Sequence, residues 1–157
     1  DQRAHVVLTV RSHAVRHAGQ VSLPGGVIER GETMQAAALR EAREEIGLEL
    51  DGLRVLGALS PIDITVSGFR LHPIVAARQT RPDLKPTDSE VARILEVDVA
   101  ALTNAAHFSR RTMSRDGRTL EVPTFDIDGA AIWGATAMVL AEFLTLLGWP
   151  GPPDEER

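Results

Sequence analysis

No cysteine occurs among the 157 residues, which excludes disulfides and thiolate chemistry and fits a reducing compartment. No apolar run approaches the roughly 20 residues that a membrane-spanning helix requires, and no signal peptide opens the chain. A soluble cytoplasmic protein is the expectation, and no membrane partner is expected. Positive charge is also short: the formal net charge is −5 at pH 7. That balance argues against general nucleic-acid binding, so an anionic ligand would have to be held by metal ions and a local set of arginines. Lysine is nearly absent, with Lys85 alone among 17 basic residues, which reads as compositional bias. Internal repeats and low-complexity blocks are lacking too. A chain that is 43% hydrophobic and 25% charged suits one globular domain with a real core. It begins at Asp1 without Met, so further N-terminal residues are expected.

What is present is a concentration of carboxylates. Residues 26–48 read GVIERGETMQAAALREAREEIGL, centred on Arg40-Glu41-Ala42-Arg43-Glu44-Glu45. On a helix over 33–46, with Thr33 as cap and Gly47 as a left-handed stop, Glu41 and Glu45 lie about 40° apart and Glu44 about 60° to the other side of Glu41. Like charges so placed cost a few tenths of a kcal/mol each unless something positive sits among them. A divalent metal is the simplest such partner, and oxygen donors without cysteine or nearby histidine favour Mg²⁺ or Mn²⁺ over Zn²⁺. The plainer alternative is an Arg/Glu-rich surface helix with pairs such as Arg40 with Glu44. Upstream, Pro24-Gly25-Gly26 lets backbone approach a metal or phosphate where a Cβ would interfere. Arg11 and Arg16 bracket the polar loop that leads there, and arginine can bind phosphate through two parallel N–H bonds.

The spacing Gly26, Glu32, Arg40-Glu41, Glu44-Glu45 and Gly47-Leu48 resembles the Nudix hydrolase signature at every defined position. The resemblance implies a loop-helix-loop that holds two or three Mg²⁺ (or Mn²⁺) ions against a diphosphate. On that pattern Glu41, Glu44 and Glu45 are metal ligands, Gly26 offers its carbonyl, Arg40 orients the carboxylates, and Glu32 supports them near the helix start. A further set, Leu8-Thr9, Arg11-Ser12, Arg16, His17-Ala18-Gly19-Gln20-Val21 and Leu23-Pro24-Gly25-Gly26, resembles the motif just upstream of the Nudix box in coenzyme A diphosphatases. It departs in two places: the segment 12–19 is one residue shorter, and Leu23 stands where Phe is commoner. The implied substrate is coenzyme A or its thioesters, cut to adenosine 3',5'-bisphosphate and 4'-phosphopantetheine or its acylated form, with Arg11, Arg16, Gly25 and Gly26 facing the substrate. In Nudix enzymes a Glu from a loop such as the one before Glu90 reaches the metals as ligand or general base, so Glu41 and Glu90 both stand as candidate bases. Two other readings stay open. One is a Nudix diphosphatase for ADP-ribose, a dinucleotide, a nucleoside triphosphate or another nucleoside diphosphate derivative; the other is a catalytically silent module that senses a nucleotide. Dimers are common in the superfamily, so a homodimer is one expected assembly.

The remaining chain supplies the expected scaffold. Residues 5–10 read as a buried strand, 53–59 and 69–77 as further strands about a loop over 60–68, and 79–89 as a mobile Pro-rich surface loop. His72 reads as a packed polar residue and Glu90 opens a strand over 91–97. Asp98 caps a short helix to Asn104, and an arginine-rich hairpin turns about Asp116-Gly117. Residues 129–147 read as a largely buried helix, whose start, Ile132 to Ala137, resembles the closing helix of the coenzyme A group. The expected fold is the Nudix α/β/α sandwich, a mixed curved β-sheet between helices, as one domain over 1–148. A disordered tail is expected over 149–157. Such domains also carry a strand ahead of the one at 5–10, where only four residues stand here.

Overall fold

The computed structural model describes residues 3–14, 17–65, 67–115 and 117–151, without the side chains of Met113, Arg115, Arg118 and Leu120. The chain divides into two compact units, residues 7–95 on one hand and residues 1–6 with 96–157 on the other.

The strand β1 (His5–Arg11) lies between β2 (Val21–Ser22) and β7 (Val91–Asp98) in a three-stranded sheet. Leu8, Thr9 and Val10 are all buried, as a largely β-branched run implies for a strand covered on both faces. The one polar member, Thr9, satisfies its hydroxyl on Ser22, 3.1 Å from the serine Oγ. Helix α1 (Met34–Ile46) starts at Thr33, whose extended backbone leaves its side chain to accept the Ala36 N–H at 3.1 Å. Its inward face is Ala37, Ala42, Glu45 and Ile46. The helix stops where Gly47 enters the left-handed region at φ 65°; there its N–H reaches the Arg43 carbonyl at 3.1 Å.

The segment over 79–89 differs from the mobile loop read from the sequence. A helix leaves its last carbonyls without partners, and here the loop supplies them. The Lys85 N–H meets the Ile46 carbonyl at 3.1 Å and the Thr87 N–H meets that of Glu45 at 3.0 Å. The Thr87 hydroxyl donates to the Glu44 carbonyl. The loop thereby forms part of the cap of α1.

Strand β3 (Arg54–Ala58) pairs antiparallel with β6 (Ile74–Ala77), and β4 (Ile62–Ile64) pairs with β5 (Phe69–Leu71). The single strand expected over 69–77 is therefore two, broken at His72-Pro73, and the loop over 60–68 contains a short strand. Proline has no N–H to continue a ladder, while the Pro73 carbonyl still accepts from Leu59 at 3.0 Å.

In the other unit, Asp98 caps α2 (Val99–Leu102) through the Ala100 N–H at 2.9 Å, and a 3-10 turn (Ala105–His107) follows. Strands β8 (Phe108–Arg115), β9 (Arg118–Ile127) and β10 (Ala130–Trp133) form a meander ahead of α3 (Gly134–Leu146). The helix expected over 129–147 thus begins five residues late, because 130–133 alternate in burial and pair with β9. Its core residues are Ala137, Val139, Leu140 and Leu144, whereas Leu147, expected inside, is 58% exposed. Trp149 does not begin a loose tail. It is buried, with its ring centroid 6.0 Å from Phe108 and 5.9 Å from Phe125; residues 152–157 lie outside the described residues. Among the described residues no helix is long and apolar enough to cross a membrane.

Gly47 offers a direct test of this capped end. A Cβ there would stand 3.2 Å from Thr87 Cγ2 in a backbone region that side chains avoid. Gly47→Ala is expected to cost about 1–2 kcal/mol, read as a lower Tm in thermal unfolding; an unchanged Tm would contradict the cap described.

Candidate active site

The carboxylates of the 7–95 unit are organised by one guanidinium. Arg40 grips Glu32 with two parallel bonds, Nε to Oε1 at 2.9 Å and Nη2 to Oε2 at 3.0 Å. Its Nη1 donates to Glu41 Oε1 at 2.8 Å and to Glu44 Oε2 at 3.1 Å, and Nη2 also reaches the Val27 carbonyl at 3.1 Å. The hydrogen bonds it donates, to Glu32 first and then to Glu41, hold the guanidinium further above its ordinary pKa. Arg40 in turn, with help from the Glu29 N–H, holds the Glu32 carboxyl below the usual carboxylate range. Glu32 therefore does more than stand near the helix start. It anchors the residue that positions the others, and the i,i+4 pair of Arg40 with Glu44 exists within the same clamp.

The three helix carboxylates occupy different surroundings. The Glu41 side chain is 17% exposed and that of Glu44 57%, while Glu45 is buried. Gly26 lies so close to Glu41 that a Cβ on it would overlap the carboxylate group, which explains glycine there without any special φ. The neighbouring Gly25 N–H donates to Glu45 Oε2 at 3.1 Å. Gly25, expected to face phosphate, thus commits its N–H to a helix carboxylate. Burial pushes Glu45 up to about 7 against the opposing Gly25 bond, and the charges of Asp88, Glu41 and Glu90 add to the rise.

Asp88 was not singled out by sequence reasoning. Its Oδ1 accepts the Glu90 N–H at 2.9 Å and the Val91 N–H at 3.2 Å, a local turn that an Asp three residues before the start of a strand could have signalled. The loop holding Glu90 is tied on its other side to Ser12, whose N–H meets the Glu90 carbonyl at 2.7 Å and whose Oγ meets the Ser89 carbonyl at 2.5 Å. Arg11 closes β1, with its N–H on the Gln20 carbonyl at 3.0 Å. Arg16 lies outside the described residues.

Among the described residues no three Asp, Glu or His side chains converge on one point as a preformed metal cage. The donor chemistry nevertheless fits a hard divalent cation. Arg40 takes one oxygen each of Glu41 and Glu44, leaving Glu41 Oε2 and Glu44 Oε1 for another cation, and the buried Glu45 lies among negative charges that a cation would offset.

A NUDIX domain model matches residues 1–116. The chain belongs to the Nudix family. It is similar to the uncharacterized Nudix hydrolase NudL of Salmonella paratyphi B, 31% identical over 145 residues that cover 91% of this chain and 75% of that one. The NudL of Salmonella newport matches equally. Among solved structures, the Nudix hydrolase RenU of M. smegmatis shares the fold at a TM-score of 0.53 and 24% identity, covering 62% of each chain. An Ap4A hydrolase of C. elegans does so at 0.53 and 16% identity, covering 61% of this chain and 70% of that one. The α/β Nudix fold read from the sequence is confirmed, and the chain is a hydrolase of the Nudix type, which acts on diphosphate bonds and generally uses divalent metal ions.

The position of Glu45 sets a pH dependence. The folded chain keeps its proton up to about pH 7, whereas an unfolded chain releases it near its ordinary pKa of about 4.3. The folded state thus binds more protons across that window, and stability falls as pH rises through it. Metal-free protein should lose Tm between about pH 4.5 and pH 7. Glu45→Gln should flatten that slope, and Mg²⁺ should raise Tm most at the alkaline end. A wild-type Tm that climbs over the same range would refute the assignment.

Proposed function

We propose that this Nudix hydrolase cleaves the diphosphate of coenzyme A or an acyl-coenzyme A to adenosine 3',5'-bisphosphate and (acyl) 4'-phosphopantetheine, as one Nudix domain over residues 1–148. The observation that carries the catalytic reading is the buried Glu45 among Glu41, Asp88 and Glu90, a deficit of positive charge next to a clamped pair of carboxylates. The substrate reading rests on the segment from Leu8 to Gly26, which a general nucleoside diphosphatase leaves without a role.

Glu41, Glu44, Glu45, Glu90 and the Gly26 carbonyl are the residues that would hold Mg²⁺ or Mn²⁺. When bound, such ions polarise phosphoryl oxygens, lower the pKa of water and offset charge in an in-line displacement. Arg40 keeps Glu41 and Glu44 at fixed positions on the helix. Gly26, lacking a Cβ, leaves room for the Glu41 carboxylate. Arg11 and Arg16 meet the substrate phosphates, including the 3'-phosphate. Glu90 is the better placed proton acceptor, since Arg40 already engages an oxygen of Glu41 while Glu90 is exposed on a loop tied down by its backbone.

A turnover assay with coenzyme A, dephospho-coenzyme A, ADP-ribose, NADH and diadenosine polyphosphates tests the substrate. Coenzyme A should show the highest kcat/KM, chelation should abolish activity, and added Mg²⁺ or Mn²⁺ should restore it. Preference for dephospho-coenzyme A would remove the arginines from 3'-phosphate recognition, and preference for ADP-ribose would replace the substrate class. Binding without turnover of any member would identify a sensing module.

The proton acceptor is tested by Glu90→Gln. Loss of kcat by about 10²–10⁴ at unchanged Mg²⁺ affinity marks a general base. Weakened Mg²⁺ affinity marks a metal ligand, and near-normal values for both return the base to Glu41.

A further inference from the structure

The loop before β7 meets the carbonyls of Glu44 and Glu45 through Thr87, whose N–H and hydroxyl are both used. Thr87 donates its N–H to the Glu45 carbonyl at 3.0 Å and its hydroxyl to the Glu44 carbonyl. Its methyl faces Gly47, where any Cβ would approach to 3.2 Å. The two carbonyls belong to the residues whose carboxylates make up the site, so a bond at the backbone of Glu44 and Glu45 sets how far the loop stands from them. Three residues further on is Glu90. Between the two, Asp88 fixes the backbone by accepting the Glu90 and Val91 N–H groups. The segment 87–90 is thereby a short strut, pinned to α1 at one end and to Ser12 at the other through the Ser89 and Glu90 carbonyls.

We propose that Thr87 is a positioning residue for the hydrolytic reaction, its hydroxyl holding Glu90 at a set place beside the carboxylates of α1. It touches neither substrate nor metal and acts through Glu90. The inference rests on the reading of Glu90 as proton acceptor or metal ligand. The physical basis is that a reacting group displaced by about 1 Å can lose 10²-fold in rate even when the change lies away from the chemistry. Valine keeps the shape of threonine and removes only the hydroxyl, leaving the Glu44 carbonyl short of its donor. Serine restores the donor and loses only the methyl.

The test is a cycle of Thr87→Val, Thr87→Ser, Glu90→Gln and the double variant Thr87→Val with Glu90→Gln, using the full chain. Four readouts are taken: kcat on coenzyme A or ADP-ribose, whichever the wild type hydrolyses; Mn²⁺ affinity of the metal-free protein by calorimetry; Tm; and amide hydrogen exchange over 85–91. Thr87→Val should lower kcat about tenfold or weaken Mn²⁺ binding, with faster exchange confined to 85–91. Thr87→Ser should stay within about twofold of wild type, and Thr87→Val should add little in the Glu90→Gln background, since coupled residues depart from additivity. Equal losses from Thr87→Val in both backgrounds would overturn the proposal and leave a plain structural role. So would wild-type kcat and Mn²⁺ affinity for Thr87→Val. Failure of the underlying reading looks different: Glu90→Gln itself would be near normal, which refutes any action of Thr87 through Glu90 whatever Thr87→Val does.

Discussion

One guanidinium holds the glycine loop and helix α1 together. Arg40 bonds Glu32 and the Val27 carbonyl on the loop before α1, and Glu41 and Glu44 on the helix itself. Its planar fork serves four partners at once, which an ammonium on a flexible stem could not reproduce. Without it, Glu41 and Glu44 would repel each other at i,i+3 and the loop carrying Gly26 would lose its tie to the helix. The helix, the glycine loop and the acidic site therefore depend on a single side chain.

The opposite end of the helix is settled by backbone. Gly47 turns the chain away, and the carbonyls it leaves behind are taken by Lys85 and Thr87. The loop that satisfies the helix is also the loop that carries Asp88 and Glu90. A helix end that needed only a cap could have used water.

Glu45 shows what the site costs the fold. An ionised carboxylate that is buried and faces other carboxylates is unfavourable for stability, and the single Gly25 N–H does not cancel that burial. Such a group makes physical sense where a cation completes it, which is why a strongly perturbed carboxylate points to chemistry more than to architecture.

The sequence by itself determined the features that local rules control. These are α1 between Thr33 and Gly47, the buried strand at 5–10, the Asp98 cap, the β8–β9 hairpin, and the spacing of Gly26, Glu32, Arg40, Glu41, Glu44 and Glu45 that places the chain in its family. Each depends on groups a few residues apart, where spacing and capping chemistry are strong. Tertiary structure alone decided the rest. Whether 69–77 was one strand or two depended on the partners that β5 and β6 found on either side of Pro73, and 130–133 became strand because β9 offered a ladder. The loop over 79–89 is anchored because carbonyls some forty residues earlier lacked donors. Arg40 gripping Glu32 and Trp149 buried against Phe108 and Phe125 are likewise contacts between groups distant in sequence or turned toward each other by packing, the charge of Asp88 acts on Glu45 across a similar separation, and no local periodicity encodes them.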